Sequence, residues 1–406
     1  MTRISEVDGH IWNVPGFFAN GAHCGLKRKR KDFSIIFSRL PCSAAAVYTK
    51  NKVIAAPIIV TKEHLANGRA QAIICNSGIA NACTGTQGLE NARTMAEEAG
   101  RALGCAPEDV IVASTGVIGQ QLPMDKVTDA IRSVASTLGT ETGSEAAEGI
   151  MTTDTMPKEL VVQTKIDGKD VTLGAIAKGS GMICPNMATM LAFVVTDASI
   201  TPGALSKALF ASVNDTYNMI SVDGDTSTND MVAAMANGKA GNETITEGSP
   251  DFEQFCDALT YLNEHMSKLI VQDGEGATKV FEVQVKRAPT RDDARLMAKS
   301  IVSSCLVKSA VHGGDPNWGR IMCAAGYSGA SFDADASQLS IVSGDESIVL
   351  FEDGQPTDYD EDRATRMMQE EFITFVLDAK TGEGDAKAWG CDLTHEYVDI
   401  NAHYRT

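Results

Sequence analysis

Short apolar runs, each bounded by turn-forming residues, set the strongest limit on how this chain can fold. Phe33–Phe37, Ala44–Tyr48, Pro57–Val60 and Ala72–Cys75 open the series, followed by Val110–Val112, Leu160–Lys165, Val171–Ala177 and Met190–Thr196. Lys279–Val285, Leu339–Val342, Phe372–Leu377 and His395–Ile400 close it. Their shortness and β-branched content predict strands. Helical periodicity falls between them. Met95, Ala96, Ala99 and Leu103 share one face of a helix predicted over 89–103, with Gly104 as its C-cap, and a second helix is predicted over 124–138. Pro202 suits the first turn of a helix over 203–214. The clearest helix spans 251–271, where Phe252, Phe255, Leu259, Leu262, Met266 and Leu269 recur at three- and four-residue steps. Strands interleaved with helices predict a layered α/β or α+β architecture.

Charge narrows the partners. The 35 basic and 53 acidic residues leave a net charge of −18, a field that repels nucleic acid and anionic membrane at long range. The dense basic run Lys27–Lys31 precedes an apolar strand and reads as a solvated lead-in to it. Ten cysteines are scattered without a CxxC pair, mostly in apolar settings such as Ile74-Cys75 and Phe255-Cys256. They read as reduced, buried small hydrophobes of a cytoplasmic protein. The seven histidines show no ligand spacing, so no metal is expected. Arg3, Glu6 and Asp8 interrupt the N-terminal stretch, and no apolar run is long enough to span a bilayer.

The segment Lys178-Gly179-Ser180-Gly181-Met182-Ile183-Cys184-Pro185-Asn186-Met187-Ala188-Thr189-Met190-Leu191 stands apart. Glycines and a proline force an irregular loop that feeds straight into an apolar strand. Thr189 lies at the junction, where its hydroxyl could attack the preceding carbonyl. An N→O acyl shift and hydrolysis would then free Thr189 as a new N-terminus. A free α-amine has a pKa of roughly 8 and sits on the same residue as the hydroxyl, so one scission would create nucleophile and base together. On spacing alone, the plainer alternative of a glycine turn before an edge strand is favoured.

This stretch resembles, nearly residue for residue, the cleavage segment of the glutamate N-acetyltransferase/ornithine acetyltransferase family. Six further stretches match family motifs in family order: Asn76-Ser77-Gly78, Ala80–Gly85, Ser114–Gly119, Asp223–Asp230, Gly314–Arg320 and the tail Asn401–Thr406. The resemblance covers essentially the whole chain. It implies an αββα sandwich core like that of N-terminal-nucleophile enzymes, with a smaller α/β domain. It also implies self-cleavage between Ala188 and Thr189 into an α chain (1–188) and a β chain (189–406), assembled as α2β2. The activity it implies is transfer of acetyl from N2-acetyl-L-ornithine to L-glutamate. Acetyl-CoA is a possible co-substrate, and no cofactor is needed.

By the same resemblance, Thr189 is the nucleophile and Thr115 and Gly116 form the oxyanion hole. Lys178 would hold a substrate α-carboxylate, and Glu275 would bind the substrate ammonium or orient the Thr189 amine. Thr152 would contact substrate, with Thr153 as the alternative alignment, and Asn401 and Thr406 would fold back into the pocket. Asp315–Arg320 reads as a rigid turn with a helix start, and Asp223–Asp230 as a structural turn near the site rather than a metal loop. One departure is Ile79, where the family usually has asparagine. Cys184 occupies a variable position and is no nucleophile candidate. Two rival readings are a hydrolase of the same nucleophile class and an amino-acid-binding protein that never cleaves.

Overall fold

The strand Phe33–Tyr48 is the hinge of the principal sheet, because its pairing with Arg69–Ile79 slips between Phe37 and Cys42. In this computed structural model, which describes residues 4–184 and 190–403, that bent strand belongs to two leaves. Its first half pairs with Phe17–Ala22 and Arg69–Ile79, and Val110–Val117 lies beyond. Its second half pairs with Met231–Ala236, followed in order by Leu191–Thr196, Lys169–Lys178, Lys158–Ile166 and Ser5–Val7.

Side-chain alternation sorts these strands into layers. Ile36, Ile73, Cys75, Ile111 and Ala113 of the first leaf share a buried cluster with Ile176, Leu191, Phe193, Val195, Met231 and Met235 of the second. The neighbours that point the other way, Phe33, Ile35, Ala72, Ile74, Val110 and Val112, pack on Met95, Ala96, Ala99, Val127 and Ile131. Those five come from the helices Gly85–Leu103 and Met124–Ser136. The outer face of the second leaf presents Val47, Leu173, Ala175, Val194, Val232 and Ala234 to Leu205, Leu209, Phe255, Leu259 and Met266. Here the covering helices are Pro202–Asp215 and Phe252–Gln272. Helix, leaf, leaf, helix is the αββα order that was expected.

A second sheet of seven strands, with Val280–Ala288 near its centre, forms the smaller α/β unit. The helix Arg291–Ser303 covers it through Met297 and Ile301, and its core is continuous with that under Phe252–Gln272. Lys169–Lys178 and Leu191–Thr196 pair with each other in the same sheet. Leu191–Thr196 lies inside the principal sheet, between Lys169–Lys178 and Met231–Ala236, so it is not the edge strand of the plainer reading.

Four expectations need correction. Pro57–Val60 is not a strand but the first half of the helix Ala56–His64. Its β-branched residues are overridden by packing: Val60 faces the outer helices, and Ile58 faces the space between the leaves. His395–Ile400 is likewise helical, in His395–His403, with the Thr394 hydroxyl accepting from the Tyr397 N–H at 3.4 Å. The basic run is not simply solvated. The Lys27 ammonium donates to the Met151 carbonyl at 2.5 Å and Arg30 to the Asp154 carbonyl at 2.7 Å, while buried Asp32 accepts from the Lys27 N–H at 2.7 Å. The cysteines are all free thiols, yet Cys83, Cys305 and Cys323 are exposed. No described helix is long and apolar enough to cross a membrane.

The sheet also contains a pH-sensitive group. Burial pushes the Asp197 carboxyl from 3.8 up to about 6, against the opposing hydrogen bond from the Thr172 N–H at 2.8 Å. A folded-state pKa above the unfolded one favours folding below about pH 4, and that contribution is lost as pH rises through 6. Asp197→Asn keeps a side-chain oxygen to accept from the Thr172 N–H and is expected to stabilise the fold above pH 6, by up to about 3 kcal/mol. Below pH 4 it should change nothing; melting curves at pH 4 and 7.5 test this.

Candidate active site

Where the two leaves meet the second sheet, a polar cavity of about 190 Å3 opens. That is below the roughly 300–1,000 Å3 of sites for drug-sized ligands, and it suits a small amino-acid derivative. Its wall includes Thr115, Gly116, Thr152, Lys178, Glu275 and Asn401. Every sequence-predicted site residue within the described part of the chain therefore reaches one space. Ala188, Thr189 and Thr406 lie outside the described residues. Met190 and Leu191, which follow Thr189 in the chain, line the same cavity.

Thr115 and Gly116 end the strand Val110–Val117, which runs parallel to Arg69–Ile79. Gly116 has φ +126°, a backbone conformation open to glycine. Side chains around it lock the turn. Asn229 Nδ2 donates to the carbonyls of Ser114 at 2.8 Å and Ala80 at 2.6 Å. The Ser114 hydroxyl donates to Asn76 Oδ1 at 2.5 Å, and Asn76 Nδ2 donates to the Ile79 carbonyl at 2.8 Å. Ile79 itself is buried among the outer helices, so its apolar side chain fills core and leaves this network to Asn76.

Lys178 ends the strand Lys169–Lys178 directly beside Leu191. It is buried, and its ammonium has no direct hydrogen bond or ion pair among the described residues. Glu275 follows the helix Phe252–Gln272. Its N–H donates to the Ser180 carbonyl at 3.0 Å, and its carboxylate accepts from Asn401 Nδ2 at 2.7 Å. Gly181 presses so closely on this carboxyl that a Cβ there would overlap it. Asn401 extends from the terminal helix His395–His403, which brings the tail to the cavity. Thr152 and Thr153 both line the wall, so either alignment places a threonine there.

The Asp223–Asp230 segment contributes more than a turn. Asp223 Oδ2 accepts from the Met182 N–H at 2.6 Å and Oδ1 from the Ile183 N–H at 2.9 Å, while the Thr226 hydroxyl donates to the Cys184 carbonyl at 3.0 Å. These bonds clamp the chain just before residue 185. Tyr397 donates its hydroxyl to Asp223 at 3.3 Å, and burial together with that neighbouring charge raises its pKa. Asp230 is buried beside Met190, and its Oδ2 has no partner among the described residues. Burial pushes its carboxyl well above the usual range, with Lys178 opposing. Sequence reasoning missed Tyr397 and Asp230 as wall residues. The density of Asp, Ser, Thr and Asn in 223–230 was the available signal. Asp315–Arg320 lies away from the cavity: Asn317 caps the helix Trp318–Gly326 by accepting from the Arg320 N–H at 3.1 Å, the turn and helix start expected. Among the described residues no cluster of His, Cys, Asp or Glu has a metal-holding arrangement.

The fold is a two-leaf sandwich with helices outside, carrying a small polar cavity at the head of an internal strand. The ArgJ family model matches residues 18–406, and the chain belongs to the ArgJ family. Among its relatives are the arginine biosynthesis bifunctional protein ArgJ of Thermotoga neapolitana, 52% identical over 96% of this chain and 99% of that one, and that of Caldanaerobacter subterraneus, 50% identical over 98% and 99%. A crystal structure of the Bacillus halodurans protein of the same name is 47% identical, covering 46% of this chain and 100% of its own, with a TM-score of 0.44. The Mycobacterium tuberculosis ornithine acetyltransferase complexed with ornithine is 38% identical over 46% of this chain and 100% of its own, with a TM-score of 0.42.

Proposed function

We propose that this chain is the acetyltransferase of arginine biosynthesis that moves acetyl from N2-acetyl-L-ornithine to L-glutamate. The observation that carries the reading is the convergence of Thr115, Gly116, Thr152, Lys178, Glu275 and Asn401 on one cavity whose wall continues into Met190. Curated relatives at about half identity over nearly full length are named arginine biosynthesis bifunctional proteins, which supports it.

The reaction starts with scission between Ala188 and Thr189. The Thr189 hydroxyl then attacks the acetyl carbonyl of acetylornithine, its proton passing to its own α-amine. Thr115 and Gly116 stabilise the oxyanion of the tetrahedral intermediate. Collapse breaks the amide bond; ornithine leaves with the proton on its α-amine, and acetyl remains as a Thr189 ester. The glutamate α-amine attacks that ester, gives its proton to the Thr189 amine, and N-acetylglutamate leaves as the hydroxyl is restored. Lys178 suits the α-carboxylate common to both substrates. Glu275, held by Asn401, suits an ammonium group. No cofactor enters these steps, and acetyl-CoA serves as a second donor if the chain is bifunctional. The two chains are proposed to remain together as α2β2 in the cytoplasm.

Supplied with acetylornithine and glutamate, the protein is expected to form N-acetylglutamate and ornithine in equal amounts. Acetate in place of acetylglutamate would identify a hydrolase, and binding without turnover an amino-acid-binding protein. A parallel assay with acetyl-CoA and glutamate decides the second donor.

A further inference from the structure

Behind the cavity, one buried cation joins three parts of the chain that are distant in sequence. Lys158 has no exposed surface, and its ammonium lies 2.7 Å from Asp154 Oδ1 and 2.5 Å from Asp273 Oδ2. Neither these two carboxylates nor Lys158 lines the cavity, but each is tied to a segment that does. Asp154 accepts from the Thr152 N–H at 2.8 Å and from the Gly179 N–H at 2.7 Å. It thereby fixes Thr152 and the residue immediately after Lys178. Asp273 accepts from the Thr155 N–H at 3.0 Å and from the Thr155 hydroxyl. The Asp273 carbonyl accepts from the Ser180 hydroxyl at 2.6 Å, and Ser180 in turn accepts from the Glu275 N–H.

The charges reinforce this geometry. Burial alone would raise the Asp154 carboxyl, but Lys158 and Lys178 outweigh it and hold it well below the usual range. Asp154 thus stays ionised with Lys158 as its direct partner, and Lys178 acts on it from further away. Without Lys158, two buried carboxylates would remain, and the Lys178 and Lys27 ammoniums would be the nearby cations left to offset Asp154.

We propose that Lys158 is a positioning residue of the transfer reaction: by bridging Asp154 and Asp273 it sets the spacing of Thr152, Lys178 and Glu275, and it leaves the Lys178 ammonium available to a substrate carboxylate. The proposal rests on the acetyltransferase reading above. It extends that reading to a residue that touches no substrate.

The test compares full-length Lys158→Met, Lys158→Arg and Asp273→Asn with the parent. L-ornithine is the binding probe, because it carries the carboxylate and has no acetyl to transfer. Lys158→Met is expected to weaken ornithine binding at least tenfold and to raise KM for acetylornithine more than it lowers kcat. Lys158→Arg should recover most of both effects. A lower melting temperature with unchanged Kd and KM would overturn the proposal, since the cluster would then be merely structural. If Lys158→Met does not fold, Asp273→Asn decides. It keeps the Asp154–Lys158 pair while loosening the 273–275 segment, and a several-fold weaker Kd supports the proposal, an unchanged Kd overturns it. A parent that binds ornithine but transfers no acetyl would count against the reaction, and the Kd series would still judge Lys158.

Discussion

Thr189→Ala is expected to give a single unprocessed chain of 43.1 kDa and no measurable acetyl transfer. Two functions are lost in one substitution. Alanine has no hydroxyl to attack the preceding carbonyl, so the peptide bond stays intact, and the α-amine that would act as base is never released. Transfer then lacks both nucleophile and proton acceptor. Thr189→Ser is the conservative control: it retains the hydroxyl and should both process and turn over, at reduced rate. Denaturing gels, intact mass and acetylglutamate formation read the outcomes. An alanine variant that is cleaved, or that transfers acetyl as an intact chain, would end the N-terminal-nucleophile account.

Strands and helices were legible to the extent that their own periodicity exceeded their surroundings. Phe252–Gln272 and Gly85–Leu103 were readable because their apolar stripes are long. Ala56–His64 was not, because Ile58-Ile59-Val60 carries a strand signature in a helix whose Ile58 and Val60 enter two different buried clusters. The signals that opposed it, Pro57 in the first turn and Lys62 and His64 in the last, are weak individually. At the tail, Val398 and Ile400 suggested alternation, whereas the Thr394 cap was the better guide.

The cavity was legible only as motifs, and its assembly was not. Nothing in local spacing brings Thr152, Lys178 and Glu275 together; the buried pairs of Lys158 with Asp154 and Asp273 do so through contacts across the chain. Similarly, Asn229 reaches the carbonyls of Ser114 and Ala80 from over a hundred positions away in sequence, an effect on the Thr115–Gly116 turn that no window of residues contains. The bent strand Phe33–Tyr48 explains the two leaves, yet in sequence it appears as two separate apolar runs.

Gly116→Ala should be nearly as damaging as loss of Thr189, but by a different route. At φ +126° an L side chain is strained, and the added Cβ would overlap the carbonyl of Gly78 and approach the Ile79 nitrogen to 2.6 Å. These obstacles are backbone atoms of the paired strand, so relief requires Val110–Val117 to part from Arg69–Ile79 just where Asn76, Ser114 and Asn229 hold them. Strain and overpacking together are expected to cost about 3 kcal/mol or more. If Gly116 donates to the oxyanion, displacement of the turn lowers kcat on the order of 10² to 10³ in protein that remains folded and processed. Gly78→Ala is the control. It shares a positive φ of 111°, but its Cβ would meet Lys27 and Leu26 at 3.3 and 3.4 Å, mostly movable side chain. It should lose stability while retaining most of its kcat. Equal losses of kcat in the two variants, at matched folded fraction, would mean that the turn supports the sheet and takes no part in stabilising the transition state.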